Sequence, residues 1–137
     1  MMKHVTVGMF TTGMEVYWPQ IPGLKQEIES YAQTVEMRLA QSCSVVNAGI
    51  VSDVRTAREV GDRFVREDVD LIVVHAGTYG LSRDILPCIR RSDVPVLSLN
   101  LQPVSSFDGT SDITQTMGKN PYAISGEIGT VLRRKGV

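Results

Sequence analysis

Seven polar or aromatic residues stand just beyond four short apolar runs, all at the same end of those runs. They are Glu15 and Tyr17 after the first, Ser52 (with Gly49) after the second, His75 and Tyr79 after the third, and Asn100 and Gln102 after the fourth. If the runs are parallel strands, these groups share one rim and line a polar, aromatic cleft. A sugar suits such a lining, because an aromatic face packs on C–H groups while amides and hydroxyls bond the ring substituents. Tyr17 and Trp18 have a second reading, as anchors of their own loop. His75 ends its run with no acidic partner nearby in sequence, so bonding a carbonyl is favoured over acid/base work.

A catalytic engine is not visible in the chain. The acids fall mainly on polar helix faces, so no carboxylate pair is set up for acid/base chemistry. Two histidines, His4 and His75, far apart among scattered carboxylates match no metal-ligand spacing. Gly8 and Gly13 form neither G-x-G-x-x-G nor a Walker loop, and Ser44, Ser52 and Ser82 lie in no nucleophile-elbow context. No catalytic residue and no metal ligand is therefore assigned.

The elements that must position the rim follow from periodicity. His4–Phe10 is an apolar segment suited to a buried strand, followed by the loop Thr11–Gln20. Leu24, Ile28, Tyr31, Val35 and Leu39 then recur at helical spacing, predicting a helix from near Pro22 to near Ser42. Cys43–Val51 reads as a second strand, and Thr56 with Glu59 has capping-box spacing for a helix whose buried stripe is Ala57, Val60, Gly61, Phe64 and Val65. Asp70–Ala76 is nearly continuous in apolar residues, as expected of a strand covered on both faces. Ser82 or Asp84 can cap the next helix, which Pro87 confines to a late start or a kink. Asp93–Leu101 is a fourth strand, and Gln102–Pro121 a long loop rich in turn residues. From Tyr122 a helix resumes with Ile124, Ile128, Val131 and Leu132 on one side, and Gly136 suits its C-terminal cap.

This βαβαβαβ alternation predicts an α/β fold, a three-layer αβα arrangement about an open parallel sheet. The expected core is Leu24, Ile28, Val35, Phe64, Leu71, Val73, Ile85 and Leu97. With 137 residues the chain suits one domain. Val137 would open another strand, so a piece of a larger multi-domain protein is expected. The net charge of −1, from 14 basic and 15 acidic residues, gives no electrostatic footprint for nucleic acid or an anionic membrane. The apolar runs are far shorter than the roughly 20 residues of a membrane span, and no secretory h-region precedes the first strand. A cytoplasmic protein with reduced, buried Cys43 and Cys88 is the expectation.

Three stretches carry a resemblance: Val5–Gln20 with its Glu15-Val16-Tyr17-Trp18-Pro19, Asp70–Tyr79, and Val94–Pro103. In their order and spacing they resemble the N-terminal domain of the L-arabinose isomerase and L-fucose isomerase family, over most of the chain. The resemblance implies a flavodoxin-like (Rossmann-like) sheet in a homo-oligomeric enzyme that interconverts aldoses and ketoses at manganese. That metal would be held by downstream domains, so no cofactor is implied within residues 1–137. It further implies that Met14, Glu15, Val16, Tyr17, Tyr79, Gln102 and Gln115 bind the sugar, in a pocket shared with a neighbouring subunit. Two departures imply a different sugar or a divergent branch. Met14 stands where arabinose isomerases usually have glutamine, and the histidine they carry shortly after the position of Gln115 is missing from Met117-Gly118-Lys119-Asn120. The first reading is therefore a substrate-pocket and oligomerisation domain, inactive alone. A sugar- or effector-binding module of periplasmic-binding or repressor type is the alternative, since its lobes share the alternating topology. A stand-alone oligomerisation domain is a third possibility, and it requires no pocket at the rim.

Overall fold

A computed structural model describes residues 4–109, 112, 116–119 and 122–136, with the backbone alone at 122–125. Four strands form one parallel sheet: β1 (Thr6–Thr12), β2 (Ser44–Val51), β3 (Leu71–His75) and β4 (Val96–Leu99), in the order β2-β1-β3-β4. The helices are α1 (Leu24–Leu39), α2 (Val54–Arg66), α3 (Ser82–Ile89) and α4 (Tyr122–Arg134), with one 3₁₀ turn at Glu15–Tyr17. Strand order reverses between β1 and β3, the place where open α/β sheets bind ligands.

Two cores lie on opposite faces of the sheet and make the three layers. On one face Phe10, Ile72 and Val74 pack with Phe64 of α2, Ile85 and Ile89 of α3 and Ile128 of α4. On the other, Val7, Met9 and Val73 pack with Ala32 and Val35 of α1. β1 and β3 are buried along almost their whole length, as their near-continuous apolar character requires. Two glycines permit close approach: a Cβ at Gly8 would lie 2.9 Å from the Phe64 ring, and one at Gly61 only 2.3 Å from the Pro87 carbonyl oxygen. Gly61 thus lets α2 and α3 meet.

Several expectations need correction. Leu97 is 47% exposed, not core. It pairs with Val73 on an edge strand, and α1 covers Val73 without reaching it. Leu71 is only half-buried, and Val65 lies 51% exposed, one step around α2 from the buried Phe64. The α2 cap is Asp53, not Thr56. Thr56 donates its amide to Asp53 Oδ1 at 2.8 Å and its hydroxyl to Oδ2 at 2.7 Å, while Glu59 instead accepts from Arg55 at 3.1 Å. α3 starts at Ser82 with neither predicted residue capping it, so Pro87 lies inside that helix rather than delaying its start. α1 begins at Leu24, preceded by Gly23 with φ 86°, and ends at Leu39, while β4 is only Val96–Leu99. Cys88 is fully buried and Cys43 partly so, both as free thiols, and burial pushes the Cys88 thiol up to about 12. Gly136 takes φ 74° beyond α4, as a C-terminal cap residue should.

Candidate functional site

The rim is built at the reversal of strand order, and Thr12 joins its two halves. Thr12 is fully buried at the end of β1. Its hydroxyl donates to the Thr78 carbonyl at 2.9 Å and accepts the Gly77 amide at 3.2 Å, while its own carbonyl accepts the Thr78 amide at 3.0 Å. The loops after β1 and β3 therefore leave the sheet as one unit. Gly77 is required there, since a Cβ would stand 2.5 Å from the Thr12 carbonyl oxygen.

The loop after β1 passes extended through Met14 into the 3₁₀ turn. Tyr17 donates its amide to the Met14 carbonyl at 3.0 Å, and Gln20 Nε2 donates to the Val16 carbonyl at 2.8 Å. Trp18 fulfils the anchoring alternative. Its ring packs so closely on Gly13 that a Cβ there would be 2.8 Å from it. Tyr17 remains half-exposed, Val16 and Glu15 are exposed, and Glu15 accepts from the Ser52 hydroxyl at 3.3 Å.

Tyr79, also half-exposed, donates its phenol to Glu127 Oε2 at 2.7 Å. Glu127 is held below the usual carboxylate range first by that bond and then by the Ser82 hydroxyl and amide. The carboxylate from α4 thus lies close to Ser82, the first residue of α3. Tyr79 is shifted up, mainly by the same bond, with Tyr17 close enough to add to the shift. Two tyrosines and two carboxylates at one edge offer apolar faces for sugar C–H groups and acceptors for sugar hydroxyls.

No protein-family model matches the chain, and no curated protein does. The rim itself must carry the functional reading.

The structure brings Met14, Glu15, Val16, Tyr17 and Tyr79 to the adjoining exits of β1 and β3. Gln102 goes elsewhere: it lines a cavity of about 370 Å³ on the α1 side, whose walls include His75 and Tyr31 but none of those five. Gln115 lies outside the described residues. His75 is 3% exposed, with Nδ1 3.1 Å from the Thr11 hydroxyl, and burial drives its pKa down to about 4. Its partner is thus a hydroxyl, not the carbonyl the sequence favoured. His4 is exposed, with Nε2 2.7 Å from the Ser44 hydroxyl. Among the described residues no group of three His, Cys, Asp or Glu side chains converges as a metal site, and no helix is long and apolar enough to cross a membrane. Sequence reading missed Thr11, Tyr31 and Glu127. Thr11 was legible in principle, since it falls in register with His75 once β1 and β3 are paired.

Proposed function

We propose that this chain is the first domain of a cytoplasmic, homo-oligomeric aldose-ketose isomerase similar to the arabinose and fucose isomerases, enclosing the sugar beside a neighbouring subunit. One observation supports this above the others. Tyr17 and Tyr79 stand half-exposed and near each other at the carboxyl ends of adjacent strands, where strand order reverses. Trp18, equally half-buried, packs against Gly13 and so anchors the loop that carries Tyr17. Among the described residues no group of three His, Cys, Asp or Glu side chains converges that could hold manganese. In this reading the metal's ligands belong to other parts of the intact protein, and this domain binds, orients and shields the substrate.

The test is a titration of the chain with L-arabinose, L-fucose and L-arabinitol, followed through the ring resonances of Tyr17 and Tyr79. Saturable shifts of both rings that disappear in Tyr17→Ala support the reading. Shifts absent from both rings, or unchanged in that variant, overturn it.

A further inference from the structure

The cavity that takes Gln102 is separate from the tyrosine rim. It lies between α1 and the chain leaving β4, walled by Ile28 and Val35 on the helix and Leu101 beyond the strand, with Tyr31, Thr34, His75 and Gln102 as its polar side chains. At about 370 Å³ it falls in the size range of small-molecule sites. We propose that it binds a small, uncharged, planar heteroaromatic molecule that accepts a hydrogen bond from His75 and donates one to Gln102.

The polarity follows from the surrounding bonds. Thr11 is fully buried, and the imidazole is its hydroxyl's sole partner among the described residues. A proton on His75 Nδ1 would leave that hydroxyl without an acceptor, a costly state for a buried donor. Thr11 therefore donates to Nδ1, and Nε2 carries the ring proton. No partner for Nε2 occurs among the described residues, so a donor nine-tenths buried remains for a ligand. Gln102 commits one amide N–H to the Val104 carbonyl at 2.8 Å, and its side-chain oxygen, with no partner among the described residues, is free to accept. Tyr31 and Thr34 donate to Glu27 Oε1 and the Ser30 carbonyl, so neither offers a second donor.

Charge and shape follow in turn. Burial keeps the imidazole neutral down to about pH 4, so it gives an anion no positive partner. No wall residue is a carboxylate or a cation. The nearby Glu27 is already engaged by Tyr31, with Lys119 Nζ 3.9 Å from the same oxygen. A charged ligand would thus lose its hydration without compensation. Ile28, Val35 and Leu101 give the cavity aliphatic walls, against which the apolar faces of a flat ring can pack. This site stands independently of the sugar-binding reading.

Benzimidazole is the probe, since one flat bicycle carries both a ring N–H and a ring acceptor. Indane supplies the same shape without polar atoms, and benzoate supplies a charge. With the whole chain at about pH 8, benzimidazole should shift the Ile28, Val35 and Leu101 methyls and the His75 ring saturably, with a dissociation constant below about 1 mM. Indane and benzoate should bind at least about tenfold more weakly, as should benzimidazole to Gln102→Leu, on the scale of one hydrogen bond. Thr34→Trp, from an exposed helix position, should plug the cavity and abolish binding, while Arg55→Ala, on the exposed face of α2, should leave benzimidazole binding unchanged. Absence of saturable shifts, equal binding of indane, or full affinity in Gln102→Leu would overturn the proposal. L-arabinose read at Tyr17 and Tyr79 gives a separate result, so failure at one site does not imply failure at the other.

Discussion

Tyr79 and Glu127 are joined by a 2.7 Å hydrogen bond that ties the loop after β3 to α4 across 48 positions of sequence. The bond favours ionised Glu127, and Ser82 adds to it, so the folded carboxyl titrates below its ordinary value of 4.5. Stability from this trio is complete above that ordinary value and is lost as pH falls through the lower folded one. Urea midpoints measured from about pH 7 down to about pH 3 should drop more steeply for the wild type than for Glu127→Gln. Parallel curves would contradict the pairing.

His75 gives an acid sensitivity at higher pH. Its folded pKa is about 4 against an ordinary value of 6.5, because burial disfavours the imidazolium. Between those values the unfolded chain binds more protons, so stability falls as pH drops from 6.5 to about 4. The total is about 3 kcal/mol at the low end of the window. His75→Gln, which can still accept from Thr11, should flatten the profile there. A variant with the wild-type slope would show that another group titrates.

Val73 and Leu97 face each other across β3 and β4, yet one is fully buried and the other 47% exposed. Val73→Ala should cost about 1 to 4 kcal/mol, through lost burial and a residual cavity. Leu97→Ala should cost less than about 1 kcal/mol. Equal losses in chemical denaturation would mean that Leu97 is covered.

Asp53→Ala should lower stability by about 1 kcal/mol, because the Thr56 amide and hydroxyl both lose their acceptor. Glu59→Ala should stay within about 0.5 kcal/mol, as expected of an exposed pair along one helix. The reverse ranking would restore the capping box at Thr56 and Glu59.

The sheet was legible because its strands are short apolar runs punctuated by Gly, Pro and caps, and the alternation leaves little freedom in topology. Leu97 misled because periodicity identifies an apolar face without showing whether a helix covers it. The α2 cap misled because Asp53 and Thr56 are three apart, so both offer capping oxygens and only the backbone decides which lies outside the helix. At the rim, Tyr17 and Tyr79 could be placed from strand ends alone. Glu127 could not, since its role depends on α4 crossing the start of α3, a contact no local pattern encodes. The position of Gln102 could not be read for a similar reason: the exit of β4 turns toward α1, which strand order does not specify.

The central claim is that Tyr17 faces a sugar rather than supporting its own fold. It is tested most directly by steady-state aldose-ketose kinetics of the intact protein, wild type against Tyr17→Ala, with a thermal melt of each. The account predicts kcat/KM reduced by about tenfold or more, the 1 to 3 kcal/mol of a positioning contact, with the melting temperature nearly unchanged. An alanine variant that melts early while its folded fraction keeps wild-type kcat/KM would contradict it.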